Sequence, residues 1–534
     1  MSFGTSFALT TRPTIMGKHA AVVAGHQLAA QAGLRMLHAG GNAIDAAIAM
    51  ASALAVLKPD ACGLGSDLFL LYADAESGEV HALNASGPAP RLAMRDAFPQ
   101  KTIPSMGLRA ASVPGAVDGW DRAIQRFGRL RLRDVIAPAI ALAREGAPVS
   151  ALFASTLEKN EDVLRPFAAT RRLYYPNDRA PSAGELLVQS DLARTLQAIA
   201  DEGPDGFYRG EFARALDRYA RETGGLLRAE DMEAYRSEWR QPLHARYREY
   251  ELIGQPPVSV GVAVLEAMQI LENFPLAQLS DASLELIHLQ VEAMKIAMAD
   301  VGAHVGDPAF VSDAAISEML DPQRAARRAG DIDPQRAGKF AAADLLARAG
   351  VDTSYAAAID ADGNAVSLLQ SVFHVFGCGE VIPETGTLMN NRMTAFSLDS
   401  ASPNALEPGK RTLHTLNPVL VLKGGRAHMC LGTPGGPSQV YTNVALLTRV
   451  IDFGLELQRA IDAPRWFVTP GGDLQIETSV VEDVRARLAA YGHRVVPFPP
   501  HSAAFGGAGI VRINESGTRE AGADPRRETY ALAY

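Results

Sequence analysis

Cysteine, positive charge and long apolar runs are all in short supply in this 534-residue chain, and each shortage excludes a class of protein. The three cysteines, Cys62, Cys378 and Cys430, lie far apart. They cannot build a disulfide framework, and no Cys-x-x-Cys pair suggests zinc, so a reducing compartment fits best. With 60 acidic residues against 51 basic ones, the formal charge is −9. That balance carries no electrostatic footprint for nucleic acid or anionic lipid. The longest apolar stretch, Ala43 to Leu57, is alanine-rich and interrupted by Asp45. It is too short to cross a bilayer comfortably and reads as a buried helix. Met1 to Thr11 has neither a basic nor an apolar signal region. A cytoplasmic location is therefore the default expectation.

Several common catalytic motifs are missing too. There is no phosphate-binding Gly-x-x-x-x-Gly-Lys-Ser/Thr loop, no His-Glu-x-x-His zinc helix and no Gly-x-Ser-x-Gly elbow. Gly377-Cys378-Gly379 lacks the third glycine of a dinucleotide fingerprint. His374, His414 and His428 read as packing or hydrogen-bonding histidines. No metal or cofactor is expected.

What is present is an ordinary globular composition, 47% apolar and 21% charged, in a chain long enough to bury a large core. At about 150 residues per domain, length alone suggests three or four domains. Apolar residues recur at helical spacing in Gln27 to His38, Asn42 to Leu57, Ala116 to Phe127 and Ser283 to Asp300. Asn42, after Gly40-Gly41, is suited to cap the second of these. Asp67 to Tyr72 and Glu79 to Asn84 read as a strand pair about Ser77-Gly78. Leu320 to Ala349, dense in alanine, arginine and aspartate, reads as a surface helix with a loop, or as a connector that must be cut or moved. Beyond it strands dominate. Tyr355 to Ile359 and Ala365 to Phe373 flank the turn Asp362-Gly363, and Pro418 to Leu422 and Arg426 to Leu431 flank Gly424-Gly425. Helices near Gln439 to Ile451 and Val480 to Tyr491, with strands at Leu474 to Glu477 and Gly509 to Ile513, complete an α+β pattern with antiparallel sheets.

The chemistry concentrates around Asp352-Thr353-Ser354, a hydroxyl residue between the connector and the first strand of the second half. Further on come Lys410 to Pro418 and the turn Thr433-Pro434-Gly435-Gly436. That turn leaves backbone N–H groups unshielded by side chains, as an oxyanion site requires. With these segments the sequence resembles the γ-glutamyltransferase (glutathione hydrolase) family of N-terminal-nucleophile hydrolases. The resemblance runs along nearly the whole chain. It includes Gly40-Gly41-Asn42-Ala43-Ile44-Asp45, Gly63-Leu64-Gly65-Ser66-Asp67, Val113-Pro114-Gly115, Gly306-Asp307-Pro308 and Ala523-Asp524-Pro525-Arg526-Arg527.

The resemblance implies a four-layer αββα sandwich made from one precursor that cuts its own chain between Asp352 and Thr353. Large (1–352) and small (353–534) fragments would then remain together as a heterodimer, alone or as a dimer of such pairs. It makes Thr353 the nucleophile, Ser371 its supporting hydroxyl, and Gly435 and Gly436 the oxyanion pair. A threonine hydroxyl needs a base beside it. The α-amine freed by cleavage, with an ordinary pKa of about 7.7–8.0, supplies one on the same residue.

The acyl pocket departs from the family pattern. Phe373, Arg392 and Ala395 stand where an Asn, a Gln and an Asp would hold a substrate's α-ammonium. Asn390 lies two residues before the second of these. Ser86, His414 and Thr415 stand where an Arg and two serines would hold its α-carboxylate. Arg392 would repel an ammonium and attract a carboxylate; as a plain structural residue it would make an ion pair instead. Ala395 to Pro408 is too short for an extended lid, which favours hydrolysis over transfer. The expected activity is cleavage of a small carboxylate-bearing amide of the oxamate type. Glutathione hydrolysis, glutaryl-cephalosporin acylase activity and a non-catalytic binding relative are the alternatives.

Overall fold

The computed structural model describes residues 10–339 and 352–534. Two seven-stranded antiparallel sheets lie face to face. Across the first, the order is Tyr530–Ala533, Ala21–Ala24, Ser354–Ile359, Ala365–Ser371, Asp67–Ala73, Val80–Ala85 and Glu238–Arg240. Across the second it is Ile15–Gly17, Arg519–Ala523, Gly509–Ile513, Arg426–Gly432, Val419–Lys423, Tyr250–Gly254 and Leu243–Tyr247.

The period of two along each strand divides the core into three layers. In Ser354–Ile359, the residues Tyr355, Ala357 and Ile359 enter the space between the sheets with Phe69, Leu71, Leu420 and Val511. Ala356 and Ala358 point the other way, onto the helices Gln27–His38 and Ala43–Leu57. On the far side, Val419, Val421 and Leu431 pack against Val262–Leu271, Leu284–His304 and Ser438–Ile451. The result is the αββα sandwich. Helix Ala43–Leu57 is buried at every position and is capped by Asn42, whose side chain accepts from the N–H groups of Ile44 and Asp45.

Three expectations need adjusting. The part before residue 352 is less purely helical than its periodicity implies, because it supplies seven of the fourteen sandwich strands. Ile15–Gly17, Ala21–Ala24 and the Leu243–Gly254 hairpin are short or irregularly patterned and give little signal. Each sheet therefore mixes strands from both sides of Asp352, so the three or four linked domains suggested by length collapse into one interlocked sandwich. The strand expected through Phe373 stops at Ser371, because Phe373 turns to φ +85 and donates its N–H to Ser371 Oγ at 2.8 Å. Of the expected connector, Pro322–Gly330 is helical, while 340–349 lies outside the described residues. Among the described residues no helix is long and apolar enough to cross a membrane.

Candidate active site

Strand register places the chemistry at one end of the space between the sheets. Ser354 pairs with Gln370 and Ser371 pairs with Asp67. Extending the first ladder by one residue sets Thr353 across from Ser371. Thr353, Ser371 and Asp67 thus form a row over three neighbouring strands, with side chains on the interlayer face. Sequence reasoning gave Asp67 no role, although it closes the Gly63–Asp67 motif.

The peptide at the expected cut is held by two hydroxyls. Thr353 Oγ1 donates to the Asp352 carbonyl oxygen at 2.6 Å, and Ser371 Oγ donates to the same oxygen at 2.8 Å. Both residues are buried. One hydroxyl thus lies beside the carbonyl it could attack. The other already bonds the oxygen on which negative charge would develop.

Asp352 is tied down by its side chain as well. Its Oδ1 accepts from the Thr353 N–H at 3.1 Å and from Arg527 Nη1 at 3.2 Å. Arg527 Nε bonds the Ala503 carbonyl at 2.8 Å. Nearby, Asp60 is buried with Oδ1 lacking a hydrogen-bond partner among the described residues. Its carboxyl is pushed up to about 7, first by burial and then by the Asp352 charge, against the opposing pull of Lys58. A raised native value means the folded chain holds the proton that the unfolded chain releases near pH 4. Stability from this group is complete below pH 4 and is lost as pH rises through about 7. Asp60→Asn in uncut protein is therefore expected to flatten the decline in stability between pH 4 and pH 8. The difference should be on the order of 4 kcal/mol in denaturant unfolding. Equal pH dependence in both proteins would refute it.

The opposite wall comes from the second sheet. Strand Arg426–Gly432 runs into Thr433-Pro434-Gly435-Gly436, and Gly432 lies so close to Tyr355 that a Cβ there would stand 2.4 Å from the ring. Gly435 has φ +132 and Gly436 φ +56, conformations that side chains disfavour. A Cβ on Gly435 would also press on Ser438 Oγ at 2.5 Å. The pair immediately precedes helix Ser438–Ile451, an electropositive helix end suited to an oxyanion. Contact with the scissile peptide runs through Gly506, Gly507 and Arg527. Gly506 packs on Gly435, and a Cβ on Gly507 would be 2.6 Å from Arg527 Cβ.

Beyond Ser371 the chain turns at Phe373 toward the residues expected to form the acyl pocket. The Arg392 guanidinium stacks over the Phe373 ring at 4.2 Å, and its Nε donates to Asp67 Oδ2 at 2.8 Å. His414 packs on Phe69, ring centroids 4.9 Å apart, with its Nε2 3.9 Å from Asp67 Oδ2. The ion-pair reading of Arg392 therefore holds for one nitrogen. Nη1 and Nη2 of Arg392, and both ring nitrogens of His414, have no hydrogen-bond partner among the described residues, although both side chains are fully buried. Burial lowers the Arg392 value, opposed by Asp67. Burial, then Arg392 and Arg411, pushes His414 well below its usual range, so this ring is neutral.

The remaining predicted residues support the pocket. Asn390, expected at the substrate, has its amide engaged elsewhere. Nδ2 donates to Gly65 and Ser112 carbonyls, while Oδ1 accepts from the backbone N–H groups of Ser112 and Arg392. It positions Arg392. Ser86 directs its hydroxyl to Asn84 Oδ1 at 2.6 Å and lies beside Gly87, whose N–H bonds Asp67 Oδ1 at 2.8 Å. Thr415 is buried next to His414.

Known proteins resemble this chain along nearly its whole length. The family model described as Gamma-glutamyltranspeptidase matches residues 29–534. The glutathione hydrolase-like YwrD proenzyme of Bacillus subtilis (strain 168) is 38% identical over 526 residues, covering 97% of this chain and 99% of its own. The oxamate amidohydrolase proenzyme of Klebsiella pneumoniae subsp. pneumoniae is 35% identical, covering 97% and 98%. Among solved structures, a cephalosporin acylase from Bacillus halodurans superposes with a TM-score of 0.92 at 34% identity, covering 100% of this chain and 99% of that one.

Proposed function

The chain belongs to the gamma-glutamyltranspeptidase family, and on that premise we propose a self-processing N-terminal-threonine amidohydrolase for small acyl groups that carry a carboxylate. In processing, Thr353 Oγ1 attacks the Asp352 carbonyl carbon while Ser371 supports the oxygen. The C–N bond breaks to give an ester on Thr353 and a free α-amine. Water then hydrolyses the ester, leaving Asp352 with a new carboxylate. In turnover, that amine takes the Oγ1 proton as the hydroxyl attacks the substrate amide. The N–H groups of Gly435 and Gly436 stabilise the oxyanion, the protonated amine or ammonia leaves, and water releases the acid.

The substrate class rests on a single observation. Fully buried Arg392 has two guanidinium nitrogens without a hydrogen-bond partner among the described residues, with a neutral His414 nearby. Buried donors without partners are costly, and a carboxylate is the natural complement to such a fork. An ammonium would meet repulsion there, which sets this pocket apart from one for a γ-glutamyl group. An oxamate-type amide carries such a carboxylate directly beside its amide. A glutaryl amide also ends in a carboxylate, and the close superposition on a cephalosporin acylase favours it as the second reading. The three cysteines are buried and unpaired, which supports a reducing, cytoplasmic setting.

Purified protein should run as two fragments of 352 and 182 residues (534 − 352 = 182) by intact mass. Oxamate, a glutaryl amide and glutathione are then compared by kcat/KM. We expect oxamate or the glutaryl amide to exceed glutathione by at least about tenfold, a difference of about 1.4 kcal/mol in transition-state binding. Preference for glutathione would reject the proposed pocket.

A further inference from the structure

Away from the nucleophile, three buried side chains converge that none of this chemistry uses. His288 and Glu292 stand four residues apart on helix Leu284–His304 and so share a face. His493 directly precedes strand Arg494–Phe498. One ligand atom from each of the three lies within 4.8 Å of the other two. His288 Nδ1 is 2.9 Å from His493 Nε2, and that nitrogen is 3.9 Å from Glu292 Oε1.

We propose that His288, Glu292 and His493 form a site for one divalent transition-metal ion of the zinc type. Two imidazoles and one carboxylate are a donor set that such ions favour, with a fourth position left for water. The surrounding contacts aim the ligand atoms inward. His288 Nε2 bonds the Asp333 carbonyl at 2.7 Å. A carbonyl only accepts, so the proton of a neutral ring sits on Nε2 and the lone pair sits on Nδ1, facing the cluster. The Gly338 N–H donates to Glu292 Oε2 at 2.8 Å, which leaves Oε1 toward the histidines.

Without metal the same atoms satisfy one another. The His493 ring donates from Nε2 to His288, and Lys295 Nζ lies 2.7 Å from Glu292 Oε1. Entry of the ion moves the His493 proton to the other ring nitrogen and turns the Lys295 ammonium, whose side chain is 16% exposed, into solvent. The ion then ties the helix to His493 and, through the outer contacts, to Asp333 and Gly338. Those residues lead toward the proposed cut. The metal would thus fasten the segment of Asp333 and Gly338 to the body of the sandwich.

The test uses the untagged full-length protein, stripped with a chelator and titrated with Zn²⁺ alone by calorimetry and with Co²⁺ alone by visible absorption. We expect one equivalent to bind, with affinity about 100-fold weaker in His288→Gln and in Glu292→Gln. Lys295→Met removes the competing ammonium without touching a ligand and should tighten binding. The proposal is overturned if neither the parent protein nor Lys295→Met binds a saturable equivalent. It is equally overturned if both ligand variants bind as the parent does.

Discussion

Thr353→Ala is expected to leave the 534-residue chain uncut after prolonged incubation and to lower turnover by about 10⁴-fold or more. The size of the effect follows from geometry. Only Thr353 has a hydroxyl at 2.6 Å from the Asp352 carbonyl oxygen that also belongs to the residue whose amine cleavage would release. Ser354 cannot replace it, because strand alternation sends that side chain to the opposite face, toward Gly25. Thr353→Ser keeps the hydroxyl and should still cut. Ser371→Ala removes the second donor to the scissile carbonyl and the acceptor for the Phe373 N–H. Processing should slow by about 10²–10³-fold, the range for loss of one oxyanion donor. Intact mass and a denaturing gel over time read all three variants. Cleavage of Thr353→Ala at the parent rate would remove the nucleophile assignment.

Arg392→Lys is the second large effect, and it bears on substrate choice. Lysine retains a positive charge for Asp67 but loses the planar fork that would meet a carboxylate with two N–H groups. Each charge-assisted hydrogen bond contributes about 1.5–3 kcal/mol. The loss of two should lower kcat/KM for a carboxylate-bearing amide by roughly 10²-fold to 10⁴-fold. An amide of similar size without the carboxylate should change little, and processing should continue. Equal losses on both substrates would mean that Arg392 acts through structure alone. Arg392→Met is the poorer probe, since it strands the buried Asp67 carboxylate at a cost of about 3–5 kcal/mol.

The fold was legible where signals are local. Asn42 announced its helix as a cap after Gly40-Gly41, and Asp362-Gly363 announced the hairpin that carries Ser354–Ile359 and Ala365–Ser371. Short strands such as Ala21–Ala24 were not legible, because four buried residues carry no period that separates strand from helix. The candidate site was legible in its hydroxyls and glycines, since Thr353, Ser371 and the Gly435-Gly436 turn stand out through the resemblance to the family. Its electrostatics were not. Asp67 and Arg392 are 325 positions apart and meet only through strand pairing and the turn at Phe373. Nothing near Asp60 in the sequence anticipates Asp352, or near Asp352 anticipates Arg527.

The sequence by itself determined which groups are candidates to react: a hydroxyl before a strand, glycines in a turn, and an arginine where a γ-glutamyl site would hold a glutamine. Those properties belong to single residues and short motifs, and covalent order preserves them. Tertiary structure alone decided which charges face one another and which remain unpaired. Burial changes the value of a carboxylate or a guanidinium only after remote segments close around it, and that closure is set by the pairing of fourteen strands rather than by any one of them.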